Sequence, residues 1–380
     1  MYLINSEYYS LNSSRCTKDR NLRRRHVSYD KIKYIEYKAT GLKRENKIKL
    51  KNIFKLINEK TCVYFKENPN LNENDGEELF KGKVFKVREI ASCQCPSGFR
   101  QQVILKFYKD FFEEVIYYDI GRAIGLYFEH TRPDKDKFVK IIKDLILYNH
   151  GDFKSDCPMN DILDVPYDFG SAMHFHSSRY SHSGEDIILP RENYKYYKDT
   201  MGQNEEFSFS DYRKINKGQC KNPCGNKNPC KNNGYLDPLT CRICICPPHF
   251  DPNENCKKLI KKNDQCIQEY VLNKTKSVET IKYKKNGNID CFFNVKTDEG
   301  YVIKISIDKL SKVHDFKKVC PVGKALEIRY RKDLSLTGAM FCKNKTEHII
   351  SEGNEIHVHY YKVGHKEGDF QLTVKRIKQK

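Results

Sequence analysis

Several features that often decide a protein's class are missing from this 380-residue chain. No run of residues is long and apolar enough to cross a bilayer as a helix, so we expect no membrane span. The first residues, MYLINSEYYSLNSSRC, lack the apolar core of a secretory signal. No nucleic-acid-binding motif is visible, and the basic residues are dispersed rather than clustered beside aromatic residues, so we expect no nucleic-acid partner.

Cysteine, in contrast, is abundant. The 16 cysteines are far more than a reducing cytosol normally tolerates, which predicts a secreted, extracellular protein. Because no signal is visible, we expect an incomplete N-terminus, with the true start upstream of Met1; the alternatives are a mature fragment or an incomplete gene model. Asn12, Asn273 and Asn344 stand in Asn-x-Ser/Thr sequons and are candidate glycosylation sites. The length of the chain allows two or three domains.

The chain is also strongly basic, with 69 Lys and Arg residues against 50 Asp and Glu residues and a net charge of +19. Such a surface attracts polyanions, for example sulfated glycans, so polyanion binding is one hypothesis. The alternative is that the dispersed lysines serve only solubility. Heparin binding that weakens with salt would distinguish the two.

The stretch Tyr118–Asp136, YDIGRAIGLYFEHTRPDKD, has the spacing of a zinc-protease helix but not its ligands. Such a helix carries two histidines one turn apart, and a glycine after them lets a third histidine swing back. The three histidines hold zinc, and a glutamate deprotonates the zinc-bound water. Counting from Gly125, the three ligand positions and the base position hold, in order, Tyr118, Arg122, Phe128 and Asp119.

The rest of this frame resembles the astacin family of metzincin metalloendopeptidases, from about His26 to Cys220. The resemblance rests on Ala123 to Tyr127, Glu129, Arg132, Asp134, Asp136, Pro166 to Asp168, Ser171 to Phe175, Met201 to Gln203 and Asp211 to Asn216. It implies an α+β metzincin domain and zinc-dependent proteolysis. In the family, the methionine-containing turn also carries a tyrosine that approaches the metal, and here that position is Phe175.

The replaced side chains argue against zinc. Arg122 has no lone pair to donate and stays cationic, and Phe128 and Phe175 have no donor atoms. Tyr118 ionises only near pH ~10, and Asp119 is one methylene shorter than the glutamate it replaces. We therefore expect no cofactor and no catalysis, and predict an extracellular protein that binds protein or glycan partners. The alternative is an active zinc metalloendopeptidase with a remodelled site or an erroneous gene model.

A further hypothesis is that the site has been filled. Asp119 and Arg122 are three residues apart on a helix, a spacing at which opposite charges meet. Tyr118, Phe128 and Phe175 would then occupy the volume of the metal as an aromatic cluster. The alternative for Arg122 is a side chain that points to solvent.

Residues 1–25 are assigned to a leader or propeptide remnant, and residues 26–220 to the peptidase-like domain. In the family, a basic run such as Arg20 to Arg25 marks propeptide removal, after which the new N-terminus folds toward the residue equivalent to Glu129; the alternative is a solvated linker. Apolar spacing predicts two helices, about Leu42–Lys60 and about Phe112–Leu126. The first would bury Ile48, Leu50, Ile53, Phe54 and Ile57.

Residues 221–256 resemble a small disulfide-rich EGF-like module. The resemblance implies the pairs Cys224–Cys241, Cys230–Cys244 and Cys246–Cys256. A module of this size has too little core to fold without such bridges. Its entry segment lacks acidic residues, so calcium is not expected.

After a linker, 257–265, residues 266–378 show the alternating pattern of short strands and predict an all-β sandwich. The apolar positions are Ile303, Ile305, Ile307, Leu326, Ile328, Tyr330, Ile356, Val358, Tyr360, Phe370, Leu372 and Val374. This region resembles a CUB domain, an extracellular interaction module, with the pairs Cys266–Cys291 and Cys320–Cys342. Lys324 replaces an expected aspartate, so calcium is not expected.

The remaining cysteines are less constrained. The family resemblance implies Cys62–Cys220, whereas the pairing of Cys16, Cys93, Cys95 and Cys157 stays open. Two histidine pairs, His174 with His176 and His357 with His359, are possible metal pairs. Surface histidines on strands are the commoner explanation.

Overall fold

The architecture comes from a computed structural model. It describes residues 2–7, 33–39, 43–67, 101–105, 112–147, 153, 164–220, 223–225, 227–260, 266–311, 319–320, 322, 325–343, 346–362 and 367–379. Within these ranges, no helix has the length and apolar character that crossing a membrane requires. Three units follow one another along the chain, an α+β domain, a small disulfide-rich module and a β-sandwich.

The α+β domain contains three α-helices and six strands within the described ranges. The helices are α1 (Arg44–Lys60), α2 (Phe112–Ala123) and α3 (Phe209–Gln219). The strands are β1 (Tyr2–Glu7), β2 (Lys33–Ala39), β3 (Val63–Glu67), β4 (Gln101–Leu105), β5 (Val139–Ile141) and β6 (Ile188–Pro190). Short 3-10 turns cover Glu129–Thr131, Lys135–Lys137, Lys143–Leu145 and Glu192–Tyr197.

One sheet of this domain has the order β3-β2-β1-β4. Strand β1 runs antiparallel to both neighbours, with Tyr2 opposite Ala39 on one side and Leu105 on the other, while β2 and β3 are parallel. The sequence assigned residues 1–25 to a leader. Within that segment, Tyr2–Glu7 pairs with a strand on each side and forms part of the sheet, and the assignment to a leader or propeptide remnant stays a prediction.

Helix α1 packs its predicted apolar face against this sheet, with one exception. Leu50, Ile53, Phe54 and Ile57 are buried, whereas Ile48 is 51% exposed. The prediction for Ile48 was wrong because residues advance by about 100° per position, which places Ile48 roughly 160° around the helix from Leu50. The Phe54 and Phe65 rings stack at 3.9 Å between centroids.

Helix α2 ends at Ala123, three residues before the predicted end. Gly125 follows with a φ of +86°, a conformation that favours glycine, and the amide of Leu126 donates to the carbonyl of Gly121 at 2.8 Å. This termination reverses the chain, which brings Phe128 back beside Tyr118 on the helix.

Helix α3 begins with a capping box, in which Ser208 and Asp211 exchange side-chain to backbone hydrogen bonds. The Asp211 carboxylate also accepts from the Ser171 hydroxyl at 2.6 Å and the Ala172 amide at 2.9 Å. One buried side chain therefore fixes both the helix and the methionine turn, which comprises residues 171–175. The predicted Cys62–Cys220 disulfide forms after the last residue of the helix.

The small module contains β7 (Tyr235–Leu236), β8 (Cys244–Ile245) and a 3-10 turn, Pro252–Glu254. Its three predicted disulfides form, Cys224–Cys241, Cys230–Cys244 and Cys246–Cys256. Phe250 pairs with Leu259 through an antiparallel bridge, and both side chains are buried. The first residues of the predicted linker therefore pack as part of the module.

The C-terminal unit is the predicted β-sandwich. Its strands are β9 (Ile267–Leu272), β10 (Val278–Asn286), β11 (Ile289–Thr297), β12 (Tyr301–Leu310), β13 (Leu326–Arg329), β14 (Ala339–Phe341), β15 (Glu347–Ile350), β16 (Glu355–Lys362) and β17 (Glu367–Lys378). They form two sheets, β10-β17-β12-β15 and β14-β13-β16-β11-β9. All twelve alternating apolar positions predicted for the core are buried, and the Cys266–Cys291 and Cys320–Cys342 disulfides form. Lys324 lies outside the described residues.

The sandwich packs against the α+β domain through direct hydrogen bonds. The guanidinium of Arg331 donates to the carbonyl of Tyr167, and the amide of Met340 donates to the Thr200 hydroxyl at 2.9 Å. The amide of Cys320 donates to the carbonyl of Asp199 at 2.7 Å. These contacts join the sandwich to the chain segments that flank the methionine turn.

Candidate functional site

The three aromatic residues at the former metal position pack together. The ring centroids of Phe128 and Phe175 are 4.6 Å apart, and the Tyr118 ring lies 5.3 Å from Phe175 and 5.7 Å from Phe128. All three side chains are buried, and the Tyr118 hydroxyl donates to the carbonyl of His174 at 3.3 Å. The predicted aromatic cluster is therefore present.

Two guanidinium groups lie against this cluster. The Arg122 guanidinium carbon is 5.2 Å from the Phe128 ring centroid. The Arg179 guanidinium carbon is 5.2 Å from the Tyr118 ring and 5.0 Å from the Phe175 ring. The predicted ion pair between Asp119 and Arg122 remains a prediction. Sequence reasoning missed Arg179 because it follows the methionine turn in a loop, where no periodic spacing marks a contact.

These side chains do not fit a zinc ion. Of the three ligand positions, only that of Tyr118 carries an oxygen, and its hydroxyl is engaged with a backbone carbonyl. A structural zinc site needs four donors, and a catalytic site needs three plus water. Within the described ranges, the His, Cys, Asp and Glu atoms close enough to share a metal belong to Cys230, Cys244 and Cys256, which are disulfide-bonded.

Glu129 is buried beside the aromatic cluster and is fully paired. One carboxylate oxygen accepts from the Arg132 guanidinium at 3.1 Å and the Asp168 amide at 2.9 Å. The other lies 2.6 Å from the Lys214 ammonium, a contact the sequence did not predict. Burial alone would raise the pKa of the Glu129 carboxyl, but Lys214 and Arg132 outweigh it, so this pKa lies below its ordinary value.

His174 has a structural role. Its Nδ1 lies 2.7 Å from the Phe175 carbonyl, and its Nε2 lies 2.7 Å from the Tyr167 hydroxyl. Burial lowers the pKa of His174 to about 4, so the ring is neutral at physiological pH. Both ring nitrogens are engaged, which leaves none for a metal shared with His176.

His357 is buried and His359 is half-buried, so neither has the exposed surface position that was expected. They lie on one face of β16, where the module covers them: the His249 ring is 4.4 Å from His359, and the Phe250 ring is 5.2 Å from His357. His357 Nε2 lies 3.3 Å from Glu355 and His359 Nε2 2.9 Å from Asp290. Each imidazole is thus paired with a carboxylate.

The other candidate residues are scattered. Asn273 lies in the turn between β9 and β10, where its side-chain oxygen accepts from the amides of Thr275 and Lys276. Asn344, the other candidate glycosylation site in the sandwich, lies outside the described residues. The four cysteines of open pairing also lie outside them, Cys16, Cys93, Cys95 and Cys157.

Comparison with known families agrees with this geometry. The model of the astacin peptidase family matches residues 20–220, which is more than half of the chain. The chain belongs to the astacin family. The match includes α1, α2, α3 and the methionine turn, so the family's frame surrounds the aromatic cluster. Members of this family are zinc metalloendopeptidases.

Several curated relatives are nematode proteins named zinc metalloproteinases. The chain is 30% identical to nas-30 of Caenorhabditis elegans over 247 residues, which cover 63% of this chain and 32% of the relative. It is 35% identical to nas-36 of Haemonchus contortus over 192 residues, covering 49% and 30%. It is 26% identical to nas-37 of Caenorhabditis elegans over 332 residues, covering 85% and 40%. The chain therefore spans less than half the length of these relatives.

Solved structures are also similar to parts of the chain. High choriolytic enzyme 1, a hatching-enzyme zinc protease from Oryzias latipes, matches at 21% identity with a TM-score of 0.37, covering 56% of this chain and 100% of that chain. The CUB1-EGF-CUB2 region of human MASP-1/3 matches at 13% identity with a TM-score of 0.24, covering 28% of this chain and 41% of that chain.

Proposed function

We propose that this chain is a secreted, non-proteolytic member of the astacin family that acts as an extracellular binding protein. The observation that carries the proposal is the packing of Tyr118, Phe128 and Phe175 at the former metal position, with Arg122 and Arg179 against their rings. Guanidinium groups repel a divalent cation, and phenyl rings supply no donor. Water activation by a metal therefore has no support from these residues.

The rest of the chain supports binding. We assign residues 221–256 to an EGF-like module and residues 266–378 to a CUB domain, on the cysteine order, the disulfides of the two units and the sandwich topology. Both are extracellular interaction modules by resemblance. The net charge of +19 supports an anionic partner, which includes a sulfated glycan or an acidic protein surface.

Zinc content tests the proposal. The purified protein, saturated with zinc and then passed through a desalting column, is analysed by elemental mass spectrometry and assayed for cleavage of a peptide library. We expect far less than one zinc per chain and no cleavage. Stoichiometric zinc, together with cleavage that a chelator abolishes, would overturn the proposal and establish the active-enzyme alternative.

A matched variant controls for the integrity of the frame. Tyr118→His, Asp119→Glu, Arg122→His and Phe128→His are combined in one protein, which restores the three ligands and the base. We expect this variant to retain zinc through the same desalting step, because the glycine termination of α2 already returns position 128 to the helix. Failure of this variant to bind zinc would mean that the frame itself, and not only its ligands, differs from that of a zinc-binding member of the family.

A further inference from the structure

One sheet of the sandwich presents a face to solvent. The other sheet, β14-β13-β16-β11-β9, is covered on its outer side by the module, where the Phe250 ring lies 5.2 Å from His357. In the sheet β10-β17-β12-β15, successive residues alternate between two faces, and Ile281, Ile305 and Val374 point into the core. The neighbours of these three residues along each strand are exposed or half-buried on the opposite side, which we call the outer face.

One cross-strand row of the outer face carries two facing lysines. The register aligns one residue from each strand, and we call this set the lysine row: Val278, Lys375, Lys304 and Ile350. All of them are exposed, Val278 by 45% and Ile350 by 57%. Among the residues that the structure describes, neither Lys304 nor Lys375 pairs with a carboxylate.

The two facing lysines act against the stability of the sheet. Like charges directly opposite each other on neighbouring strands repel, which destabilises the pair of strands. Either Lys304 or Lys375 could be replaced by a neutral residue at this exposed position without disturbing the core. An anion placed between the two ammonium groups would turn the repulsion into attraction.

The adjacent row supplies hydroxyl groups. The register aligns the residues of this hydroxyl row as Thr280, Thr373, Ser306 and His348. The Thr373 hydroxyl donates to the Asp308 carboxylate at 2.6 Å, and the Ser306 hydroxyl lies 2.9 Å from His348 Nδ1. A hydroxyl with one such partner keeps a lone pair that can accept from a ligand hydroxyl. The outer face therefore combines unpaired cations with hydrogen-bonding groups.

This composition favours a linear, hydrophilic polyanion over a protein or a membrane. Protein interfaces are enriched in aromatic residues and arginine and depleted in lysine and serine, whereas the two rows hold lysines, threonines and a serine. Val278 lies on β10 and Ile350 on β15, with both lysines between them. They form no continuous apolar patch that could insert into a bilayer.

We propose that the outer face binds a sulfated glycan, with one sulfate held between the ammonium groups of Lys304 and Lys375. This inference rests on the proposed binding function and names the partner class and the surface that takes it. Neighbouring strands lie about 4.8 Å apart, so two flexible lysine side chains can reach the oxygens of the same sulfate. Hydrogen bonds between an ammonium group and an anion are among the stronger ones in proteins. The hydroxyl row then contacts the hydroxyls of the sugar rings.

The experiment titrates the full chain with a heparin octasaccharide and with a hyaluronan octasaccharide, which carries carboxylates but no sulfates. Calorimetry measures both affinities. We expect the heparin fragment to bind about tenfold more tightly than the hyaluronan fragment. Its affinity should fall between about 0.05 M and about 0.3 M salt, because salt screens exposed charges. Absence of heparin binding, or equal affinities for the two fragments, would overturn the inference.

Variants locate the site. Lys304→Gln combined with Lys375→Gln should weaken heparin binding about tenfold. The matched control combines Lys332→Gln with Lys343→Gln, which removes the same charge from exposed lysines that follow β13 and β14 of the other sheet. The control should leave the affinity within about twofold of the wild type. Equal weakening by both double variants would mean that net charge, and not the lysine row, determines the binding.

Stability gives a second measurement with the opposite sign. Because Lys375→Gln removes one of two facing like charges, we expect the midpoint of thermal unfolding to rise by about 1–3 °C while heparin binding weakens. A merely structural role for Lys375 would lower the midpoint instead. A lower midpoint would therefore contradict the repulsion on which the inference depends.

Two other outcomes would also contradict the inference. Heparin binding that is unchanged in the variant lacking Lys304 and Lys375 would place the glycan site elsewhere. Vesicles of phosphatidylserine and phosphatidylcholine that bind through these lysines, while the heparin fragment does not bind, would assign the outer face to a membrane. Neither result affects the proposed lack of proteolysis, which is decided separately by zinc content and cleavage of the peptide library.

Discussion

At the scale of single residues, Glu129 is a buried charge whose two carboxylate oxygens both have partners. It is 2% exposed, and a carboxylate so deeply buried is stable only if cations and hydrogen bonds replace its water. The family resemblance predicts that the N-terminus created by propeptide removal folds toward this residue. Residues 20–32, which include the basic run, lie outside the described residues, so that expectation stays a prediction. Among the described residues, Lys214 on α3 of the same domain pairs with Glu129.

Replacing Lys214 tests how much this ion pair contributes. Lys214→Met keeps an unbranched side chain only one atom shorter and removes its charge, and we expect the free energy of unfolding to fall by about 2–3 kcal/mol. The loss is smaller than that of a fully unpaired charge because Arg132 and the Asp168 amide remain. Urea unfolding at neutral pH measures the difference.

The control and the pH dependence follow from the same contacts. Lys217→Met removes an ion pair to Asp164 at the surface and should cost less than about 1 kcal/mol. Because the folded pKa of Glu129 is lowered, its stabilisation is present above the unfolded pKa and is lost as the pH falls through the folded pKa. The difference in free energy of unfolding between Lys214→Met and the wild type should therefore shrink in acid. Equal free energies of unfolding at neutral pH would show that Lys214 does not stabilise the buried Glu129.

The sequence predicted the aromatic cluster of the site but not the contact of Arg179 with it, because only the cluster follows from helical spacing. Tyr118 and Arg122 lie one turn apart on α2, and Gly125 explains the return of Phe128, so a helical frame was enough to place the aromatic cluster. Arg179 comes from an irregular loop after the methionine turn. A contact between a loop cation and a ring has no periodic signature, so the sequence could not predict it.

At the scale of elements, the periodic patterns succeeded where one face is buried against one neighbour. The alternating residues of β12, β13, β16 and β17 were all assigned to the correct face, and α1 failed only at Ile48. The pattern could not show what covers the second face of a strand. His357 and His359 were expected at the surface because alternation places them opposite the core, whereas the module with His249 and Phe250 covers them.

The contacts of the module with His357 and His359 on β16, which include that of His249 with His359, should make the free energy of unfolding depend on pH in both directions. Burial opposes protonation of His359, but Asp290 and Glu327 outweigh burial and raise the pKa of His359. The stability that the protonated His359 contributes is therefore lost as the pH rises from the pKa of the unfolded state through the higher pKa of the folded state. Burial lowers the pKa of His357 and lowers that of His249 to about 3, so their contribution is lost as the pH falls below the unfolded value. We expect greatest stability near pH ~6.5, the ordinary histidine pKa.

Thermal unfolding between about pH 5 and about pH 8 checks this expectation. His359→Gln should remove most of the loss at the alkaline side and leave the loss at the acid side. His348→Gln is the control, since His348 is an exposed histidine of the same sandwich that contacts Ser306. An alkaline loss that persists in His359→Gln would assign it to another group.

At the scale of the whole molecule, the sandwich is tied to the segments that hold the site. The Arg331 guanidinium contacts the Tyr167 carbonyl, and the Tyr167 hydroxyl contacts His174 in the methionine turn. Thr337 donates to the Asp168 carboxylate at 3.2 Å. The position of Gly170 leaves no room for a side chain, because an added Cβ would lie 2.3 Å from Thr337. The packing therefore links the sandwich to the backbone beneath the aromatic cluster.

Arg331 is the residue whose loss should uncouple these units. It is 7% exposed, it donates to Tyr167, and its guanidinium carbon lies 5.4 Å from the Phe138 ring and 5.3 Å from the Tyr194 ring. Arg331→Ala should split a single calorimetric unfolding transition into two, because the hydrogen bond and both ring contacts cross between the units. Lys332→Ala, at an exposed neighbouring position, should leave one transition. Two transitions in the wild type would mean that the units are already independent. One transition in Arg331→Ala would mean that the other contacts between the units, among them those of Met340, Cys320, Thr337 and Ser335, suffice to couple them.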